Sequence, residues 1–525
     1  MKHLTNKSSN ITAQNDANTE NTTINKNMLQ NIDKIKNEFG NSTDLLINIS
    51  KFKNFQYASI YIDNIIDKNI TNSLSMEISE MLEAKVKKEE PTPEDYFNQF
   101  SSFLTAFRKA EEGSDLNNLC TDLLSGKTIL LLESCDKYLS IKSFSVEGRS
   151  VEEPTTQSII RGPKEGFIEK VDTNIALIRK RIRNKALRVE NLLSGSTTNT
   201  KIALIYIDGI ARKDIVDEIR NRIEKIKIDG ILDSGYIEEL IKDDRYSIFP
   251  EFLNSERPDT ITSELLEGKV AILVDGTSYV LAAPALFVEF LQASEDYYHH
   301  FIVSSIVRII RYAALFLTLF VPAGYVALIT FHQEMIPTPL LISIAAQREG
   351  VPFPAFVEAM LMEGVFEILR EAGVRMPRVI GPAISIVGAL VLGQAAVEAG
   401  IISAVMVIIV SITAISSFAI PNYSMSNAIR MIRFAFLILA GIFGLYGIFM
   451  GFIALLLHLC KLKSIGVPYM TPVAPKAKYA TKDTIIRYPL WKNRTRPAEI
   501  SYSDSPRASG DNPVSSKQKE KPEFR

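Results

Sequence analysis

Glu363, Glu367 and Glu371 recur at i, i+4 and i+8. On a helix that spacing puts three carboxylates on one face. Glu358 stands about 140° from Glu363 around the same axis and joins the row less closely. The surrounding run, 351–369, is otherwise apolar. A carboxylate facing lipid costs a few kcal/mol, so the face is expected to meet water or protein. Two chemistries follow. In a ring of identical subunits the row would form an acidic lining, which favours cations. Alternatively Glu367 pairs with Arg370 and Glu371 with Arg375 on a helix lying at the membrane interface. A second set of residues is conformational. Gly162, Pro163 and Gly166 lie between two similar halves of the chain, where a hinge can pivot; the competing reading is a tight turn needed for folding.

Motifs for other chemistries fail on spacing. Ser125-Gly126-Lys127-Thr128 resembles part of a phosphate-binding loop, but Thr121 stands where that loop needs glycine, and a strand-like run follows instead of a helix. Its duplicate, 267–270, ends in Val270 and keeps no hydroxyl for a metal. There is no GxSxG or HExxH, and no cysteine has an evident histidine partner, so no enzyme activity is expected. Cys120, Cys135 and Cys460 form no CxxC, which disfavours a disulfide framework and a cysteine metal site. His299 and His300 point in two directions on a helix, a poor geometry for one metal. Neither metal nor cofactor is expected. A formal net charge of −1 speaks against a nucleic-acid binder. Segment 172–188 carries Arg179, Lys180, Arg181, Arg183, Lys185 and Arg188. It reads either as a basic face for an acidic partner or headgroups, or as an ordinary solvated helix face.

The elements that hold these residues fall into unlike regions. The 525 residues predict roughly three domains. Residues 1–27 are rich in Asn, Thr, Ser and Lys, with too few apolar groups to offset ordering entropy, and read as a disordered tail. Within 28–294 three blocks recur in order. NIDKIK at 31–36 matches NIALIR at 174–179, ASIYIDNIIDK at 58–68 matches ALIYIDGIARK at 203–213, and 122–141 matches 264–283, at offsets of 143, 145 and 142 residues. Near-constant offsets argue for two copies of one subdomain, 28–150 and 167–294, joined by a linker at 151–166. Each copy reads as an α/β unit of two or three layers. Ile175, Ile178 and Ile182 mark a helix, and 202–207 and 270–274 mark strands ending at Asp-Gly turns.

From 295 to 463 the chain reads as an all-α transmembrane domain of about four to six segments. The runs 312–331, 379–397, 399–420 and 434–459 qualify as spans; 351–369 is an imperfect acidic one, and 335–346, with Pro337 and Pro339, is short and re-entrant. Segment 295–311 reads as one continuous helix into the first span. Arg308, Arg311, Lys461 and Lys463 place both ends inside, which favours four full spans, yet Arg370, Arg375, Arg378, Arg430 and Arg433 also look internal and fit five. Residues 1–43 hold no apolar signal core, so the internal spans are expected to insert the chain and leave the N-terminal region cytoplasmic. Residues 464–525 read as a flexible basic tail.

Long contiguous motifs then become recognisable. GPKEGFIEKVDTNIALIRKRI (162–182), EDYYHHFIVSSIVRIIRY (295–312), the run 321–377, GPAISIVGALVLGQAAVEAG (381–400) and IPNYSMSNAIRMIRF (420–434) resemble the A subunit of bacterial spore germinant receptors, the GerA family of spore germination proteins. The resemblance covers about 28–475. It implies a spore inner-membrane protein working beside a transporter-like B subunit and a lipoprotein C subunit. The complex would detect nutrients and start release of ions and core solutes. It also implies two small α/β subdomains. The expected function is thus a multi-pass sensor or transducer in the lipid bilayer, acting as a homo-oligomer that gates ion release. The alternative is a secondary transporter of a small nutrient, although no repeat is evident among the spans.

Overall fold

The same strand order occurs twice. In the computed structural model, β1 (Leu45–Phe52), β2 (Phe55–Ile62), β3 (Glu111–Gly113), β4 (Lys127–Leu132) and β5 (Tyr138–Lys142) form a sheet ordered β1-β2-β4-β5-β3. β6 (Leu187–Ser194), β7 (Thr200–Ile207), β8 (Leu253–Ser255), β9 (Val270–Val274) and β10 (Val280–Ala283) repeat it as β6-β7-β9-β10-β8. The pairings β1–β2, β2–β4, β4–β5 and β3–β5 are antiparallel, as are β6–β7, β7–β9 and β9–β10. The structure describes residues 23–52, 55–67, 70, 71, 73, 74, 76–78, 80, 92–144, 153, 154, 156, 157, 159–375, 393–476, 483–493, 495–497, 499–501 and 507.

Alternation along the strands explains the layers. Ala58, Ile60, Ile62, Ile129 and Leu131 face one core with helices α1 (Met28–Glu38) and α3 (Leu116–Leu124). Tyr57, Leu130, Leu132, Leu139 and Ile141 face another with α2 (Pro93–Arg108). The first copy is therefore three-layered. In the second copy α4 (Val171–Arg181) and α7 (Pro258–Glu267) take the places of α1 and α3; α5 (Lys213–Glu224) and α6 (Ser234–Ile241) follow β7. The repeated Asn has a structural cause. Buried Asn31 accepts from Asn25 N at 2.9 Å and donates to Asn25 O at 2.6 Å; Asn174 does the same with Ile168, at the same distances. Each closes the segment leading into its helix.

The chain divides into two compact units. The first holds residues to Ile241, Asn254–Ala283 and the segment starting at Ile500; the second holds Lys242–Leu253 and Pro284–Glu499. Several expectations are corrected here. Residues 23–27 are ordered, with Ile24 buried in the first core and Thr23 bridging Asp115, while 1–22 lie outside the described residues. The 464–525 tail is partly structured. In the first unit Ile500 is buried and Ser501 bridges Ala211; in the second, β11 (Lys463–Ser464) and β12 (Val467–Pro468) pair, and Tyr469 is fully buried among Phe249, Phe287 and Phe290.

The second unit is helical: α8 (Phe301–Thr330), α9 (Thr338–Arg348), α10 (Ala355–Arg375), α11 (Gly393–Glu398), α12 (Ala404–Phe418) and α13 (Tyr423–Lys461). Among the described residues α8 and α13 are the two helices long and apolar enough to cross a membrane, each with an 18-residue stretch of mean hydropathy 2.0 and 2.3 respectively. The expected 399–420 span is the 15-residue α12, the re-entrant run is α9, and most of 379–397 lies outside the described residues. Segment 295–311 is not continuous. A short 3-10 turn, Ser294–Tyr297, precedes α8, whose N-cap is His300. The chain turns because Asp296 reaches back to Arg308 and Arg311.

α13 is interrupted. Gly444 adopts φ +61° and ψ −143°, which no helix accommodates. The two arms, 423–443 and 445–461, double back on each other. A Cβ on Gly447 would lie 2.3 Å from Leu439 O, and one on Gly451 would lie 3.2 Å from Phe436 Cε1. Phe320 of α8 touches the rings of both Phe436 and Phe452, at 5.2 and 5.5 Å. In a straight helix those two rings would stand about 24 Å apart.

Candidate functional site in the helical unit

The acidic face of α10 meets the basic face of the first arm of α13. Glu363 and Glu367 are one helical turn apart, as are Arg430 and Arg433. Glu363 Oε2 lies 2.7 Å from Arg433 Nη2, with both side chains fully buried. Glu367 Oε1 lies 3.2 Å from Arg430 Nη1 and 3.8 Å from Arg433 Nη2. Farther along, Phe356 packs against Gly441, where an added Cβ would lie 2.6 Å from the ring. The three contacts keep one antiparallel register between α10 and the arm.

Local pairs complete the row. Arg370 Nε donates to Glu367 at 2.9 Å, and its Nη1 donates to Tyr423 Oη at 3.3 Å. Arg375 pairs with Glu371 at 2.7 Å on the surface. Glu358 faces elsewhere, as its angle requires. It accepts from Ser403 N at 2.6 Å and Ser403 Oγ at 2.5 Å, at the N-cap of α12, with Arg348 Nε 3.8 Å away. The carboxylates are thus engaged by this chain's own arginines and helix cap. The two intrahelical pairs were expected; Arg430 and Arg433, read from sequence only as topology markers, are the partners it missed. The cation over Phe434, with Arg433 5.7 Å from the ring, adds to the buried cluster.

A second buried cluster sits at the start of α8. Arg308 donates to Asp296 at 2.8 Å and to Asp483 at 2.6 Å, and Arg311 bonds Asp296 at 2.8 and 2.9 Å. Tyr297 Oη donates to Asp483 at 2.6 Å. Burial pushes the Asp483 carboxyl above its ordinary range, although the Arg308 guanidinium pulls it down. Through Asp483 the segment after 482 is tied to the start of α8.

The other sequence candidates lie in hydrogen-bonded surroundings. Arg257 Nη2 donates to Pro163 O at 2.9 Å, Phe167 N donates to Glu256 O, and Thr156 bonds Glu256, so the stretch carrying Gly162, Pro163 and Gly166 is tethered to 255–257. Pivoting there would break those bonds. The basic segment is divided: Arg183 and Lys180 are exposed, while Arg179 is drawn inside. Arg179 is buried and bonds Asp44 at 2.8 and 3.0 Å, joining the two copies, while Lys180 and Arg181 pair with Glu165, Lys185 with Glu38, and Arg188 with Asp208. Thr128 of the SGKT sequence bonds Ser143 at 2.7 Å inside the first sheet.

A duplicated α/β region followed by a helical unit with apolar helices and internal arginine–glutamate pairs defines a membrane-associated, two-part protein. The chain belongs to the GerA family of spore germination proteins: the family described as Bacillus/Clostridium GerA spore germination protein matches residues 33–499. It is 45% identical over 491 residues to spore germination protein KA of Bacillus subtilis (strain 168), covering 93% of this chain and 89% of that protein. It is 37% identical over 481 residues to spore germination protein GerLA of Bacillus cereus, covering 91% and 96%. Among solved structures, the N-terminal domain of the A subunit of the Bacillus megaterium spore germinant receptor GerK3 aligns at 31% identity with a TM-score of 0.40, covering 51% of this chain and 98% of that one.

Proposed function

We propose that this chain is the A-type membrane subunit of a nutrient germinant receptor and that it converts nutrient detection into ion release during spore germination. The observation that carries the reading is the family match, which runs unbroken from the first α/β copy through the helical unit. The reading assigns the chain signalling and no catalytic step. Its partners are a transporter-like B subunit, a lipoprotein C subunit and further copies of itself, in the spore inner membrane with the duplicated region on the core side.

The helix geometry supports a multi-pass arrangement. α8 leads from Arg308 and Arg311 to Phe331 and His332, which stand beside Gly444. The arm 423–443 runs from Arg430 and Arg433 to the same turn, and 445–461 returns to Lys461. With α10, α12 and the run 379–397 that the sequence offers as a span, six segments would put every cluster of Arg and Lys on one side, the pattern the positive-inside rule selects. On this reading, counting the last run as two arms makes the number of segments even, as two ends on the inside require. Paired as they are, the α10 carboxylates favour a latch over a bare cation lining. In this mechanism nutrient binding in the complex biases α10 and α13 between two arrangements, and the gate opens when the buried pairs exchange.

The test is recovery of the tagged chain from dormant spores. It should resist carbonate extraction from the inner membrane and bring a transporter-like protein and a lipoprotein with it in mild detergent. Recovery in the soluble fraction, without either companion, would overturn the reading.

A further inference from the structure

A cavity of about 620 Å³ opens between the C-terminal end of α10 and the first turns of α13. Glu367, Arg370, Glu371, Arg375, Asn427 and Arg430 supply its polar wall. We propose that it is a binding site for an anionic phospholipid, whose phosphodiester sits among the arginines. The proposal rests on the membrane reading above.

Three observations lead there. First, three guanidinium groups face two carboxylates, which leaves one positive charge, the match for a singly charged phosphodiester. Arg370 uses Nε and Nη1 on Glu367 and Tyr423, and Arg375 uses Nε and Nη2 on Glu371. A guanidinium has five N–H donors, so both retain donors for a ligand. Second, the depth fits. The uncharged run of the first arm begins at Phe434, after Arg430 and Arg433, so the groove lies where the hydrocarbon ends and headgroups begin. Third, the rim is apolar and exposed. Ile368 and Met431, both in its lining, are 69% and 66% exposed, a track for acyl chains that a free anion would not use. The groove lies at the membrane face where the basic residues collect, the face with the anionic leaflet.

The test uses the full chain in detergent, with phosphatidylglycerol, phosphatidylcholine and inorganic phosphate as probes. Phosphatidylglycerol should bind selectively over phosphatidylcholine, and binding should weaken as salt rises. Arg375→Gln, at an exposed position, should weaken it by about fivefold. Glu371→Gln, which frees Arg375, should strengthen it. That opposite sign separates a ligand contact from a folding defect. Equal binding of the two lipids, or variants that leave affinity unchanged, would overturn the site. Inorganic phosphate competing as well as the lipid would assign the groove to a free anion and overturn the lipid. Carbonate extraction, run in parallel, reports membrane insertion. A chain that stays in the membrane but is indifferent to lipid defeats this inference alone, whereas a chain that washes off defeats the membrane reading as well.

Discussion

Glu363 and Arg433 form an ion pair in which neither side chain touches solvent. Removing one partner leaves the other charge buried and unpaired, a loss of about 3–5 kcal/mol. Arg433→Met should therefore lower thermal stability in detergent sharply, and adding Glu363→Gln should recover much of it. An additive double variant would show that the two side chains do not interact. Asn174 makes a second case. Asn174→Ala leaves the backbone N–H and carbonyl of Ile168 without their partner, and should cost about 1–3 kcal/mol, read by unfolding of the duplicated α/β region. Thiol chemistry gives a third. Burial pushes the Cys120 and Cys135 thiols up to about 11, so few thiolates exist at neutral pH, whereas Cys460 is exposed. One cysteine should alkylate quickly in the folded chain, and labelling of the other two should rise with pH or unfolding. Three equally fast thiols would contradict the burial. At this scale the sequence displayed the glutamates and the two intrahelical arginines. It did not display the cross-helix partners, because Arg430 and Glu367 are 63 residues apart and meet only when two helices run antiparallel.

At the scale of elements, α13 is the main departure from the sequence reading. The uncharged run 434–459 satisfies the length of one span, so hydropathy reported one. The missed signal was glycine at 441, 444, 447 and 451, which lets a backbone turn and two arms approach closely. Gly447→Ala would place a methyl 2.3 Å from a backbone carbonyl, so the hairpin must open or the chain misfold. Gly324→Ala in α8 meets nothing within 4 Å and serves as the control. The expected result is loss of the monodisperse folded fraction for the first and none for the second. Equal behaviour would remove the hairpin.

For the whole molecule, the duplication was legible because repeated blocks mark repeated contacts: the Asn clamp, the strand β2 or β7, and the helix entering β4 or β9. The joint between the copies was not legible. Asp44 and Arg179 stand in no repeated block as a pair, and the basic helix looked like a surface. The α/β copies and the helical unit together make a receptor subunit only if a nutrient signal ends in ion movement. Monovalent-cation release from spores in which this is the sole A-type chain measures that directly. Some nutrient should trigger release, deletion of the chain should abolish it, and restoring the chain should return it. Full release from spores lacking the chain, for every nutrient that acts on spores containing it, would contradict the account.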